Sequence, residues 1–355
     1  MQSIWNNPRW LTAIILFLLG LLLLLVFLLT VQPPSHADYS DKTLPPPALS
    51  IGTINPTLEP DLQAELVATP LHPPTAAPTI ETPAGVYTFL LLGVDRRTDQ
   101  AGKPARTDTI MLLRVDFDNR NASLLSFPRD IWLPIADLNY YEIYEQRINA
   151  AYFFGEKYDM PGGGIEILRR TIWLNFGVPV DRYMLINFET LVNTVDALGG
   201  IEMYVSKEIN DFAIPVGDYG SEKFHLDVGW HDFDGVTALK YARTRHQDSD
   251  TERIKRQQEV LLAIFKKVLS VDGFSRLPEF YSAMQGGYET DITLDEALWF
   301  GQNSQGITPE RVKRYAIGQD MLVAHVTNGG AHVWIPKMEL ITPLMFDFAQ
   351  RYQSP

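Results

Sequence analysis

The 355-residue chain contains no cysteine, which excludes disulfides and any thiolate chemistry, nucleophilic or metal-binding. Basic residues are also scarce: 30 Lys and Arg stand against 43 Asp and Glu, a net charge of −13. That balance works against nucleic acid as a partner, and no helix-turn-helix pattern offsets it. Charge is missing altogether from Leu11 to Val31, 21 residues made mostly of Leu and Ile. As a helix this run spans roughly 30 Å, the thickness of a bilayer's hydrocarbon core. A cleaved signal peptide has a shorter apolar stretch, about 7–15 residues, followed by a small-x-small site. Thr30-Val31-Gln32-Pro33-Pro34 offers no such site. The expectation is an uncleaved single-pass anchor over 11–31. Arg9 precedes it and Asp38 and Asp41 follow, which puts residues 1–10 in the cytoplasm and the remainder outside the cell membrane.

Residues 32–85 hold 12 of the 24 prolines and a single basic residue, Lys42. With Pro-Pro pairs, Ala and Thr and no sustained apolar period, the stretch reads as a semi-extended linker. Patterning changes at Val86. Tyr87–Gly93 is a short apolar run ending in Gly, as in a strand buried on both faces. Thr109–Val115 and Ala122–Phe127 read as two further strands around the polar turn 116–121. Amphipathic helices are predicted over 164–176 and over 187–198, the second with an Asn cap in front and Gly199-Gly200 behind. A strand over 201–205 and helices over 235–241 and 251–269 complete the pattern. Strands alternating with helices predict an α/β domain over 86–345, layered α/β/α around a central mixed sheet, with a tail over 346–355.

Charged residues gather where these elements end. Asp95 follows the first strand, Arg106-Thr107-Asp108 enters the second, and Pro128-Arg129-Asp130 leaves the third. Loops at strand ends converge while the sheet holds them rigidly, so ligands of α/β proteins collect there. Two carboxylates with two arginines suit Mg²⁺ and a phosphate: hard oxygens for the metal, guanidinium forks for the anion. Each fragment alone also reads as a turn or a surface ion pair.

A fourth cluster is more concentrated. Residues 240–267 carry eight Lys or Arg against four acids, a local +4 in an acidic chain. Arg243 and Arg245 lie between two predicted helices, and Arg253 and Gln257 share a face of the second by their i, i+4 spacing. This makes an anion cradle near a helix N-terminus. Lys255, Arg256, Lys266 and Lys267 read as a solvated basic face. Asp250 is placed to orient Arg253 or to deprotonate an acceptor; orientation is the preferred role. Arginines gathered on one empty anion site should repel one another, so losing one is expected to leave the fold as stable or more so.

Leu-Leu-Gly-Val-Asp95, Arg106-Thr-Asp108-Thr, Ser-Phe-Pro-Arg129-Asp130, Arg147-x-Asn149, Val195-Asp-Ala-Leu-Gly-Gly200 and Arg243-x-Arg245…Asp250-x-x-Arg253-x-x-x-Gln257 occur in that order. The order resembles that of the LytR–CpsA–Psr family over 86–260, and the anchor and linker fit its layout. The resemblance implies a Mg²⁺-dependent phosphotransferase. It would move a glycopolymer phosphate from a polyprenyl-pyrophosphate carrier to a hydroxyl of peptidoglycan or another wall glycan. It assigns Asp95 and Asp108 to the metal. Arg106, Arg129, Arg147, Arg243, Arg245, Arg253 and Gln257 line the pyrophosphate, with Arg129, Arg243, Arg245 and Asp250 carrying the chemistry. Two positions depart from the family's habit: Thr107 stands where Ser is usual, and Arg147 where Lys is common. Two other readings remain: a metal-dependent lipid-pyrophosphate phosphatase using water, and a non-catalytic membrane-tethered wall-binding or sensor module. The helices at 164–176 and 187–198 are apolar enough either to pack on the sheet or to line a lipid pocket.

Overall fold

The computed structural model describes residues 82, 84–95, 104–216, 220–244, 250–270, 276–284, 287–304 and 306–349. The proposed anchor and nearly all of the linker lie outside the described residues. Among the described residues, no helix is long and apolar enough to cross a membrane.

Val86–Val94 (β1), Thr107–Asp116 (β2) and Asn121–Phe127 (β3) form an antiparallel meander. Its second turn closes because Asp116 accepts from the Asn119 backbone (3.0 Å) and side chain (2.7 Å), while Arg120 takes φ +53°. Asp and Asn stabilise turns in this way. Next comes the hairpin of Trp132–Pro134 (β4) and Glu145–Arg147 (β5), pinned by the indole of Trp132 donating to Glu145 at 3.1 Å. Helices Asn149–Lys157 (α1) and Gly163–Phe176 (α2) follow. A Cβ on Gly155 would stand 2.6 Å from the Cα of Gly164, so these two helices meet only because both positions are glycine.

Arg182–Asn187 (β6) returns parallel to β1, and Phe188–Ala197 (α3) starts at once, with the Asn187 side chain accepting from the amide of Thr190 at 2.7 Å. Ile201–Val205 (β7), Ile209–Val216 (β8), Gly220–Leu226 (β9) and Gly229–Phe233 (β10) make two small antiparallel pairs, β7 with β10 and β8 with β9. Gly235–Arg243 (α4) and Asp250–Val268 (α5) form the basic segment, followed by Leu277–Met284 (α6). The remainder is Tyr288–Thr290 (β11), Leu294–Asn303 (α7), Val312–Ala316 (β12), the hairpin Leu322–Val326 (β13) and His332–Pro336 (β14), and Met338–Ala349 (α8).

The central sheet has the order β11-β6-β1-β2-β3-β12 and is mixed: β1/β6 and β3/β12 are parallel, the other pairs antiparallel. The period of two in β1 divides its side chains between two cores. Leu90, Leu92 and Val94 join α1, α2 and α8, whereas Phe89 packs with Phe300 of α7. This is the expected α/β/α layering. A third core, built on Val195, Met203, Phe233, Tyr241 and Val260, ties α3, α4 and α5 to the β7–β10 region. One boundary moves: α8 runs past residue 345 to Ala349, because Ile341, Met345 and Phe348 form one buried face at i, i+4, i+7. The first part of the proposed tail is therefore helix.

Candidate functional site

Parallel pairing of β1 with β6 and antiparallel pairing of β1 with β2 bring one set of strand ends to the same edge. Val94 lies opposite both Thr107 and Asn187, and Ile110 opposite Phe127. Asp95, Asp108 and Arg129 meet there as a direct result of register. Arg129 is ion-paired to Asp108 and has Asp130 at 3.5 Å; its side chain is 21% exposed. Burial would lower its pKa, but Asp108, Asp130 and Asp250 together outweigh that and hold the guanidinium above its ordinary value. Arg243, the last residue of α4, reaches Asp95 at 3.4 Å and lies 4.9 Å over the ring of Phe188. Arg253, in the first turn of α5, is buried and bonds Asp250 at 2.8 Å.

Between the sheet and helices α3–α6 lies a cavity of about 450 Å³. Asp108, Arg129, Arg243, Arg253 and Gln257 form its polar wall. Leu91, Met111, Met184, Leu191, Ile264 and Met284 are among its apolar lining. The cavity thus has two chemistries in one continuous space. Gly93 also lines it, and a Cβ there would press on the Cβ of Thr109 at 3.0 Å.

The structure brings together most, not all, of the residues read from the sequence. Arg253 and Gln257 do share the cavity-facing side of their helix. Asp95 and Asp250 join the cluster through Arg243 and Arg253. Arg147 lies one step away, bonded to Asp130 at 3.3 Å and donating to the carbonyl of His332 at 3.2 Å; it does not line the cavity. Arg106 is exposed, with its guanidinium 6.0 Å from the ring centre of Phe153, and is also outside the cavity lining. Arg245 falls outside the described residues.

Two expectations are corrected. The arginines of the cluster are not crowded against one another: Arg129, Arg243 and Arg253 each hold a carboxylate, so the cluster is a lattice of ion pairs. Arg256 is not part of a solvated face. It is 5% exposed, and its guanidinium donates to the carbonyls of Tyr241 (3.0 Å) and Thr244. Five donors on a rigid fork make Arg suited to capturing helix-end carbonyls, which periodicity does not reveal. Of the two apolar helices, α2 packs on the sheet through Ile165, Ile167, Leu168, Ile172 and Phe176, whereas α3 contributes Phe188 and Leu191 to the cavity. The sequence reading also missed Asp211 of β8, which lines the cavity, and Gln258, whose amide ties α5 to Ser126 (2.9 Å) and to the Tyr315 carbonyl (2.8 Å).

Among the described residues no three His, Asp or Glu side chains converge as a metal cage. Asp95 and Asp108, on adjacent strand ends, are still a fitting donor pair for Mg²⁺. That ion is commonly held by one or two carboxylates together with substrate phosphates.

Fold and site define an α/β/α protein with an amphipathic cavity whose arginine-lined wall lies at the edge of a mixed sheet. The chain belongs to the LytR_cpsA_psr family, which matches residues 66–342. It is 28% identical over 212 residues to the polyisoprenyl-teichoic acid–peptidoglycan teichoic acid transferase TagU of Enterococcus faecalis, covering 59% of this chain and 63% of that protein. Over 218 residues it is 29% identical to biofilm regulatory protein A of Streptococcus mutans, covering 59% and 51% respectively. The chain thus spans less than two thirds of the length of these curated relatives. Among solved structures, B. subtilis TagV superposes with a TM-score of 0.59 at 21% identity, over 76% of this chain and 98% of that one. TagT bound to LI-WTA gives 0.56 at 21% identity, over 79% and 97%. These likenesses establish the fold.

Proposed function

We propose that this protein is a membrane-anchored, extracytoplasmic phosphotransferase. It takes a glycopolymer phosphate from a polyprenyl-pyrophosphate carrier and passes it to a wall sugar hydroxyl. The observation that carries the reading is the cavity: one space with an apolar body and an arginine-lined polar wall. A lipid pyrophosphate has that same division. The names of TagU and of TagT bound to LI-WTA support a wall glycopolymer as the substrate class.

In this reading the lipid lies along Leu91, Met184, Leu191 and Ile264, and the pyrophosphate meets Arg129, Arg243 and Arg253. The acceptor hydroxyl oxygen attacks the phosphorus that bears the glycan. The P–O bond to the second phosphate breaks, polyprenyl phosphate leaves, and the hydroxyl proton is given up to solvent or to the departing phosphate. Phosphoryl transfer of this kind needs charge neutralisation on phosphate oxygens more than a covalent nucleophile. Arg129 is suited to it, because its guanidinium stays charged at any working pH and lines the cavity. Asp250, 2.8 Å from Arg253, orients that arginine. Asp95 and Asp108 would hold a Mg²⁺ ion, which would supply Lewis-acid neutralisation of phosphate charge.

The test is polyprenyl phosphate release from a glycan-loaded polyprenyl-pyrophosphate donor, with and without wall glycan acceptor. Acceptor-dependent release supports transfer. Equal release in both identifies a phosphatase, and tight binding without release identifies a binding module. The anchor is tested separately, by N-terminal sequencing of the mature protein and by protease accessibility of the domain in intact protoplasts. A mature N-terminus near residue 35, or resistance of the domain, overturns it.

A further inference from the structure

Thr244 follows α4 and separates Arg243 from Arg245 in sequence. It is 4% exposed, and its amide, carbonyl and hydroxyl are all engaged. The amide donates to the Lys240 carbonyl at 2.9 Å. The hydroxyl donates to Oδ2 of Asp211 at 2.6 Å, and the carbonyl accepts from the Arg256 guanidinium. Asp211 and Arg256 are themselves 4% and 5% exposed, and they come from different elements, β8 and α5. The other oxygen of Asp211 accepts from the Ala213 amide at 3.1 Å, where β8 shifts register. The second arm of Arg256 holds the Tyr241 carbonyl at 3.0 Å.

Burying a carboxylate and a guanidinium against one threonine is costly. Helices commonly end on a left-handed glycine instead, at no such cost. Here α4 ends in extended backbone, with Thr244 at φ −57°, ψ 139°. What the arrangement secures is the place of the residue just before it. Arg243 and Asp211 both line the cavity, and Arg243 is the arginine that reaches Asp95 and covers Phe188.

We propose that Asp211, Thr244 and Arg256 form a buried clamp whose task is to position Arg243 on the polar wall of the cavity. The three are positioning residues, acting on the substrate only through Arg243. The proposal rests on the reading of Arg243 as a pyrophosphate ligand, and it adds what sets that arginine's geometry. A guanidinium fork displaced by about 1 Å cannot meet an anion bidentately, and a misplacement of that size can cost about 10²-fold in rate.

The experiment compares Thr244→Val with Thr244→Ser in the full chain. Geranylgeranyl pyrophosphate with Mg²⁺ serves as the calorimetric probe, and crystal structures are determined for both variants. Thr244→Val is expected to bind the probe about ten-fold more weakly, and Thr244→Ser within about two-fold of the parent, since only Ser keeps the hydroxyl. In the Thr244→Val crystal, Arg243 is expected to leave both Asp95 and Phe188. Parental affinity in Thr244→Val, an equal loss in Thr244→Ser, or an Arg243 that keeps both contacts overturns the clamp. If the parent itself does not bind the probe, the pyrophosphate reading fails, and the position of Arg243 in the crystals still decides the clamp. Should Thr244→Val not fold, Arg256→Lys takes its place. One ammonium cannot hold the Tyr241 and Thr244 carbonyls as the fork does, and the same two outcomes apply.

Discussion

Removal of Arg129 separates two pictures of the site. Had the arginines been a mutually repelling cluster, Arg129→Ala would leave the melting temperature unchanged or raise it. The structure gives the opposite sign. Arg129 neutralises Asp108 and Asp130 directly and Asp250 at longer range, so its loss takes from Asp108 its close ion pair and leaves Asp130 and Asp250 to Arg147 and Arg253. Side-chain exposures of 21%, 25% and 26% place the group between a surface pair and a buried one. Exposed pairs contribute roughly 0.2–1 kcal/mol, whereas breaking a buried one costs about 3–5. An intermediate loss of about 2 kcal/mol is therefore expected, already discounted for the screening that exposure of about a quarter admits. For a domain of this size each kcal/mol shifts the midpoint by about 2–4 °C, so Arg129→Ala should melt about 4–8 °C lower. Circular dichroism of the full chain measures this. Adding Asp108→Asn to the same variant should recover part of the loss, because it removes the carboxylate that Arg129 had neutralised. An unchanged or raised midpoint in Arg129→Ala, or a further drop in the double variant, refutes the ion-pair lattice. Transfer should be abolished in either case.

Asp95→Asn is expected to lower transfer by about two orders of magnitude or more with the fold intact, the scale of a lost electrostatic stabiliser; full activity in chelator would exclude a metal role for Asp95 and Asp108. Leu191→Trp fills the apolar part of the cavity. It should weaken geranylgeranyl pyrophosphate binding while sparing inorganic pyrophosphate, and equal loss for both would show that Leu191 does not face the lipid. Glu296 gives a pH test away from the site. Burial works to raise its pKa, but Arg182, with one bond at 3.0 Å, and the cap at Thr293 outweigh it and hold the carboxyl below its ordinary value. A depressed folded pKa stabilises above the unfolded value and loses that contribution as pH falls through the folded one. Glu296→Gln should therefore melt lower than the parent at pH 7 and converge with it toward pH 3; a constant gap across that range would refute the linkage.

How much of this was legible in the sequence varies by kind of information. Four strands, the N-cap at Asn187, the basic segment and the i, i+4 pairing of Arg253 with Gln257 follow from local patterns. They rest on periodicity and on caps such as Asn187 within a few residues of chain. The strands and helices from β11 onward were not read, because short, half-exposed runs such as Tyr288–Thr290 carry no period of their own. Arg256 was misread for a related reason: in sequence it is one more cation on a basic helix, and only the end of α4 supplies the carbonyls that bury it.

By itself, then, the sequence determined four strands and four helices, the family's motif order and the residue types an anion site requires, since all of these are written in local spacing. Tertiary structure alone decided which charges meet. The antiparallel register of β1, β2 and β3 put Asp95, Asp108 and Arg129 at one edge, the parallel return of β6 brought the start of α3 beside them, and the packing of α3–α6 over that sheet created the cavity. The same packing left Arg106 and Arg147 outside its lining and converted a presumed cluster of like charges into ion pairs. Coulomb interactions and burial depend on distances between residues far apart in the chain, and those distances exist only once the sheet has closed in register.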